Sequence, residues 1–307
     1  MAVVPTLGPK GPRRSLHFVP GDNARMFEKA LTLNADTLIL DLEDSVTPEN
    51  KEAARRVVCD WIEQADFGAK ECLVRINPQD SPWGRDDAEA IASVHPDGLV
   101  LPKVSSRANV DAVDQVVSSI EERNDVQPGA TSLVLIGTEL PEAVFCLADM
   151  AGNDRVDGLT WGAEDLAGEL GARAKRNAEG VYLDVFRFVR SSCLLAAVAN
   201  QVHPIDTVFV EITDHAALEK ECAEAASMGF VGKLTIHPTQ IEVVNRAFTP
   251  SEGEIAEARE LLLAFAEAQA AGKMAFSFKG QMVDVPHLKR ARKVLAIAEQ
   301  IGVQLES

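Results

Sequence analysis

Residues 37–62 read TLILDLEDSVTPENKEAARRVVCDWI. The first six residues are an apolar run ending in acids. Such a run is too short for a typical helix and suits a strand buried on both faces. Thr47, Pro48 and Glu49 then place an N-cap ahead of proline at the first helical position. The segment NKEAARRVVCDWI behind them has helical periodicity. The stretch is therefore one strand followed by one helix, with polar residues at the junction.

The same unit recurs outward in both directions. Apolar runs stand at 15–20, 37–42, 72–77, 98–104, 133–138, 158–162, 205–211 and 233–238. Helical signals follow several of them: Asp22 before ARMFEKALTL, then residues 111–122, 141–150 and 215–228, the last closed by Gly229. Strand and helix alternating eight times predict a (β/α)8 barrel over residues 13–250. An open doubly wound sheet is the alternative; no GxGxxG phosphate loop supports it. After Pro250 the texture changes. SEGEIAEARELLLAFAEAQAAG reads as a long helix, KMAFSFKGQMVD as a connector without helical periodicity, and VPHLKRARKVLAIAEQIG as a last helix. Residues 251–307 are thus a helical extension, either a plug for the barrel or an arm reaching a neighbouring subunit.

Composition narrows the function. The 307 residues are 46% hydrophobic and 25% charged, ordinary for a packed globular chain. With 30 basic and 47 acidic residues the net charge is −17, a field that repels nucleic-acid backbones and anionic lipid. No stretch approaches the ~18 apolar residues of a membrane span. The N-terminal MAVVPTLGPKGPRR has Pro and Gly where a secretion signal needs an apolar core. Five cysteines, none in a CxxC, read as small buried hydrophobes of a reducing compartment. The expectation is a cytoplasmic protein.

In a barrel of this kind the chemistry sits where strands end. Strand two ends in Asp41, Glu43 and Asp44, strand three carries Arg75, and strand four ends in Lys103. Strand five ends in Glu139, strand six in Glu164 and Asp165, and strand eight in His237. Carboxylates from separate strands form a hard-oxygen site that selects Mg²⁺ or Mn²⁺ over Zn²⁺. Mg²⁺ usually takes one or two protein carboxylates and fills its shell from water and substrate; Glu139 and Asp165 suit that role. Arg75 suits a bidentate grip on a substrate carboxylate, or an ion pair with Asp41 or Glu43. Lys103 would be held charged by the nearby acids, which disfavours Schiff-base attack. His237 reads as a loop-fixing residue, and His17 as core or cleft wall. Arg14, Arg25 and Lys29, read as lying near the end of strand one and the following helix, are candidates for ligand phosphates.

The motifs RRSLHFVPGDN (13–23), LDLEDSVTPENKEAARR (40–56), VRINPQDSPWG (74–84), LPKV (101–104), GTELPEAV (137–144), WGAEDLAGELG (161–171), IDTVFVEITD (205–214), GFVGKLTIHPTQIEVVNRAFTPS (229–251) and GQMVDVPHLKRA (280–291) together resemble the citrate lyase beta subunit and HpcH/HpaI aldolase family. That family includes malyl-CoA, methylmalyl-CoA and citramalyl-CoA lyases. The resemblance implies a barrel that makes or breaks the carbon–carbon bond of a 3-hydroxyacyl-CoA ester with Mg²⁺. It yields or consumes a 2-oxo acid and acetyl- or propionyl-CoA. It implies Glu139 and Asp165 as metal ligands and Arg75 on the substrate carboxylate; Glu139, Arg14 and Lys103 are further candidates around the substrate. It implies Asp284 of the MVDVP motif as a general acid/base supplied to the next subunit of a trimer or hexamer. A citryl lyase subunit of a larger complex and a malyl-CoA thioesterase share most of these motifs. Two positions depart from the family pattern: His17 stands where an apolar residue is usual, and Leu140 where a hydroxyl residue is usual.

Overall fold

The computed structural model describes residues 11–302. The first ten residues, part of the segment that argues against a secretion signal, and the last five of the predicted extension lie outside it. Eight parallel strands close into a barrel in chain order: β1 (Ser15–Pro20), β2 (Thr37–Asp41), β3 (Glu71–Arg75), β4 (Gly98–Leu101), β5 (Ser132–Ile136), β6 (Val156–Thr160), β7 (His203–Asp206) and β8 (Gly232–Thr235), with β8 paired back on β1. The helices are α1 (Ala24–Leu31), α2 (Lys51–Gln64), α3 (Gly84–Ala92), α4 (Arg107–Arg123), α5 (Leu147–Met150), α6 (Ala163–Glu169), α7 (Asp184–Ala199), α8 (His215–Met228) and α9 (Pro238–Ala247).

The continuous apolar runs reflect two cores. Side chains alternate across a strand, so Leu16, Ile39, Leu73, Val100, Val134, Ile205 and Leu234 fill the barrel lumen. Their neighbours Leu38, Leu40, Val74, Leu99, Leu101, Leu133, Leu135 and Leu159 pack outward against the helices. Cutting one of these fully buried leucines to Ala costs about 2–5 kcal/mol. Gly229 closes α8 with φ of 117°, a left-handed C-cap that suits glycine.

Some boundaries differ from those read in the sequence. Strand seven starts two residues and ends five residues earlier than predicted: β7 ends at Asp206, and Thr207, Val208 and Val210 belong to the loop that follows. The apolar VFV run looks like strand because Val208 packs on the lumen cluster. Strand four stops at Leu101, where Pro102 cannot donate to a ladder and Lys103 adopts φ of 51°. Helix α7 was not anticipated.

Beyond the barrel, α10 (Glu252–Ala270) begins with a Ser251/Glu254 capping box. The connector is an antiparallel hairpin of β9 (Phe276–Phe278) and β10 (Gln281–Val283). Its two-residue turn, Lys279 and Gly280, has positive φ at both positions (48° and 83°), as a tight hairpin with right-handed twist requires. Helix α11 (Val285–Gln300) folds back on α10. This extension has its own small core of Ala258, Leu261, Val283 and Ala291. All five cysteines are free, three of them buried. Among the described residues no helix is long and apolar enough to cross a membrane.

Candidate active site

The strand ends converge on one cavity of about 810 Å³. Asp41, Asp44, Arg75, Glu139, Glu164 and Asp165 line one part of it. A second part runs over β1 between α1 and the β8–α9 loop, lined by His17, Asn23, Arg25, Met26, Lys29, Leu33, Ile236 and His237.

The acidic loop after β2 is rigid. Arg75 Nε and Nη2 donate to Asp41 Oδ1 and Oδ2 at 2.7 and 2.8 Å. Asp41 also accepts the backbone N–H groups of Glu43 and Ser45. Burial works against the Asp41 charge, yet the Arg75 guanidinium overrides it and holds the carboxyl below the usual range. Lys51 Nζ donates to the carbonyls of Leu42 and Glu43 at 2.9 and 2.7 Å, and Asn77 Nδ2 donates to Leu42 at 3.0 Å. Of the two alternatives read for Arg75, the structure shows the ion pair. Arg75 is paired with Asp41, and it also lines the cavity, stacked 4.7 Å over Phe18. Its Nη1 lies 3.0 Å from Glu43 and 3.3 Å from Asp44.

Glu139 and Asp165 meet at the same cavity from β5 and α6. The Gly162 N–H donates to Thr138 Oγ1 at 3.0 Å, tying the end of β6 to the end of β5. A Cβ on Gly162 would lie 2.5 Å from Glu139 Cγ, so only glycine leaves that carboxylate its place. Glu139 is 2% exposed and accepts the Lys103 N–H at 2.5 Å. Burial, and then the charges of Glu43 and Asp165, push its carboxyl up to about 8. Burial also holds Glu43 above the usual range against the pull of Arg75. Glu139, a buried carboxylate short of positive charge, lines the cavity together with Asp165, and oxygen donors of this kind suit a hard divalent cation. Among the described residues no group of three or more His, Cys, Asp or Glu is arranged to enclose an ion alone.

From residue 14 to residue 238 the sequence matches the HpcH/HpaI aldolase/citrate lyase family. The chain belongs to that family. A (3S)-malyl-CoA thioesterase of Cereibacter sphaeroides is 36% identical over 291 residues, 95% of this chain and 96% of that one. An L-malyl-CoA/beta-methylmalyl-CoA lyase of Cereibacter sphaeroides is 32% identical over 310 residues, 96% of this chain and 97% of that one. Among solved structures, CitE of Mycobacterium tuberculosis in complex with magnesium, acetoacetate and coenzyme A superposes with a TM-score of 0.78 at 36% identity, covering 94% of this chain and 98% of that one. Membership makes the chain an enzyme of a lyase family.

Not every residue singled out in the sequence reaches this cavity. Arg25 and Lys29 line it. Arg14 does not, which corrects its assignment to ligand phosphates. It precedes β1 and so lies at the opposite end of the barrel, where Asp36 holds it bidentately at 2.8 Å and Thr249 accepts at 2.9 Å. Lys103 is not a lining residue either; its ammonium is hydrogen-bonded to Glu43. Asp284 caps α11, half exposed, with its Oδ1 2.8 Å from His287 Nδ1, and is absent from the cavity wall of its own chain. Leu140 packs on the outer core rather than facing the cavity, so its missing hydroxyl has no direct contact to lose there. His237 caps α9, accepting the Thr239 N–H.

A second charged cluster behind the site escaped the sequence reading. Lys233 is fully buried, its Nζ 3.0 Å from Asp206 Oδ2 and 2.7 Å from Glu221 Oε1. Arg190 Nε and Nη2 donate to Asp206 at 3.1 and 3.0 Å, and Trp161 Nε1 donates to it at 2.7 Å. Arg176 pairs with Glu221 and stacks 3.6 Å over Tyr182. Burial opposes the Asp206 charge, but Lys233 and Arg190 pull its carboxyl down to about 2. The signal was available: a lysine in mid-strand, inside GKLTIHP, requires a buried partner.

Proposed function

We propose that the protein is a Mg²⁺-dependent lyase of 3-hydroxyacyl-CoA esters of the malyl-CoA, methylmalyl-CoA or citramalyl-CoA class. The observation that carries this is the pairing of Glu139 and Asp165 on one wall of a cavity whose other arm runs past Arg25 and Lys29. The magnesium, acetoacetate and coenzyme A held by the mycobacterial CitE support the reading. Mn²⁺ has the same taste for oxygen ligands and should substitute.

Glu139 and Asp165 would hold the ion, which supplies Lewis-acid polarisation of a keto oxygen and stabilisation of enolate charge. Arg75, fixed by Asp41, lines the cavity from which it would meet the carboxylate of the 2-oxo acid. Arg25 and Lys29 face the CoA phosphates. Asp284 of a second copy protonates the acetyl- or propionyl-CoA enolate after cleavage and removes that proton in the synthetic direction. The exposed position of Asp284 on a self-packed extension favours this arrangement in a trimer or hexamer. Replacing Asp284 with Asn should lower kcat by about 10²–10⁴-fold, the usual worth of general acid–base help, with Mg²⁺ affinity unchanged. Full turnover in that variant would remove Asp284 from the reaction.

A second reading is favoured by the 36% identical (3S)-malyl-CoA thioesterase. There the same site admits water to the acyl carbon and releases free acid. The deciding experiment is an assay of malyl-, methylmalyl-, citramalyl- and citryl-CoA with Mg²⁺ and with EDTA, with products identified. A 2-oxo acid with free acetyl- or propionyl-CoA establishes the lyase; free hydroxy acid and CoA establish the hydrolase. Turnover that survives EDTA overturns the metal's role. Activity confined to citryl thioesters carried by another protein would make the chain a subunit of a citrate lyase-like complex.

A further inference from the structure

Lys103 sits where a side-chain-bearing residue is strained, with φ of 51° immediately after Pro102. The turn has two effects. It aims the Lys103 N–H at Glu139 Oε2, and it carries the ammonium into the acidic cluster. There Nζ hydrogen-bonds Glu43 Oε1 and lies 3.4 Å from Asp165 Oδ1 and 3.8 Å from Asp44 Oδ1. Arg75 is largely committed to Asp41. Lys103 is therefore the main positive charge left for Glu139 and Asp165, and it shares Glu43 and Asp44 with Arg75 Nη1.

We propose that Lys103 is a built-in counter-cation that competes with the divalent ion for Asp165, and that Glu43 is the carboxylate that retains its ammonium once the ion is bound. This rests on the metal reading of Glu139 and Asp165. An ammonium and a divalent cation on one carboxylate repel each other, so binding of the ion requires Lys103 to move. Glu43 is placed to receive it. Its backbone is clamped by Lys51, and its Oε2 is 3.0 Å from Arg75 Nη1. A lysine suits the task because its charge is a point on a flexible stem; a planar guanidinium would need a fixed fork of acceptors. Glu43 and Asp44 then act as positioning residues, holding a cation that sets how tightly the ion binds.

The test is calorimetric titration of the full chain with MgCl₂, with thermal unfolding read in EDTA and in saturating Mg²⁺. Lys103→Met should tighten Mg²⁺ binding by about tenfold, the scale of changes just outside a metal's ligands. It should also lower the unfolding midpoint in EDTA more than in Mg²⁺. Glu43→Gln should weaken Mg²⁺ binding by about tenfold in the wild-type background, and by much less when Lys103 is already Met. Lys103→Gly, which relieves the strained turn, should change the affinity in the same direction as Lys103→Met. Unchanged or weaker Mg²⁺ binding in both Lys103 variants would overturn the proposal, as would an equal Glu43→Gln penalty in both backgrounds. A wild-type protein that binds no Mg²⁺ removes the metal reading together with it; wild-type binding with unaltered variants removes only the role of Lys103.

Discussion

Two charged clusters stand a few residues apart in this barrel, and they are built on opposite principles. The one around Asp206 is closed. Asp206 and Glu221 face Lys233, Arg190 and Arg176, and Trp161 supplies a further donor. Its carboxylates are satisfied, and Lys233 and Arg190 hold Asp206 ionised despite burial. The one around Glu139 is open. Asp41, Glu43, Asp44, Glu139 and Asp165 share Arg75 and Lys103, and the result is a buried carboxyl pushed up to about 8. Charge balance separates architecture from chemistry here. The balanced cluster locks β7, β8, α7 and α8 together behind the site; the unbalanced one is short of a cation and borders the cavity.

Neutralising one acid in each cluster should act with opposite sign, and a failure of that contrast would break the comparison. Glu139→Gln keeps an oxygen for the Lys103 N–H while removing a carboxyl whose ionisation the site opposes. Because the folded carboxyl binds its proton more tightly than the unfolded one, Glu139 costs stability at neutral pH. The variant should therefore unfold later than wild type in EDTA. It should also lose the stabilisation by Mg²⁺ and at least about 10³ in kcat/KM, since a Lewis acid contributes several kcal/mol and each 1.36 kcal/mol is tenfold. Asp206→Asn should do the reverse. Removing the buried charge that Lys233 and Arg190 share, with only Glu221 and Glu224 left to them, costs about 3–5 kcal/mol, measurable by urea unfolding. A Glu139→Gln protein less stable than wild type in EDTA would mean that the open cluster is balanced after all.

The strands were readable because a strand buried on both faces is apolar nearly throughout, as residues 37–41 and 98–101 are; their number, eight, favoured a barrel over an open doubly wound sheet. The ends of such strands were less readable. Val208 buries against the lumen although it has left the ladder, so apolarity outlasts β7 by several residues. Polar strand ends also picked out Asp41, Arg75, Glu139 and Asp165, which border one cavity. What one-dimensional spacing does not carry is pairing. That Arg75 is used by Asp41, leaving Glu139 and Asp165 unbalanced, depends on the register of β2 against β3 and on a backbone turned left-handed at Lys103. Arg14 was misjudged for a directional reason: it lies beside the first strand's start, and in a parallel barrel the two ends of a strand face opposite poles. The Asp206 cluster draws its members from β7, β8, α7 and α8, and only the fold brings them together.

His17 sharpens the comparison with a third solution, a buried polar group kept without charge. It is 4% exposed on β1, its Nδ1 3.0 Å from Thr235 Oγ1, and burial lowers its pKa from 6.5 to about 4, with a smaller push from His237. The folded protein thus refuses a proton that the unfolded chain accepts between those two values. Stability should fall as pH drops from about 6.5 through 4 and change little further from this residue below that. A shift of this size corresponds to at most about 3 kcal/mol, smaller than the Asp206 effect. Unfolding free energies measured across this window should show the loss in wild type and a flatter profile in His17→Leu, where no imidazole is left to titrate. An equally steep profile in His17→Leu would assign the acid sensitivity to the carboxylate clusters and leave His17 a neutral wall of the cavity with no part in it.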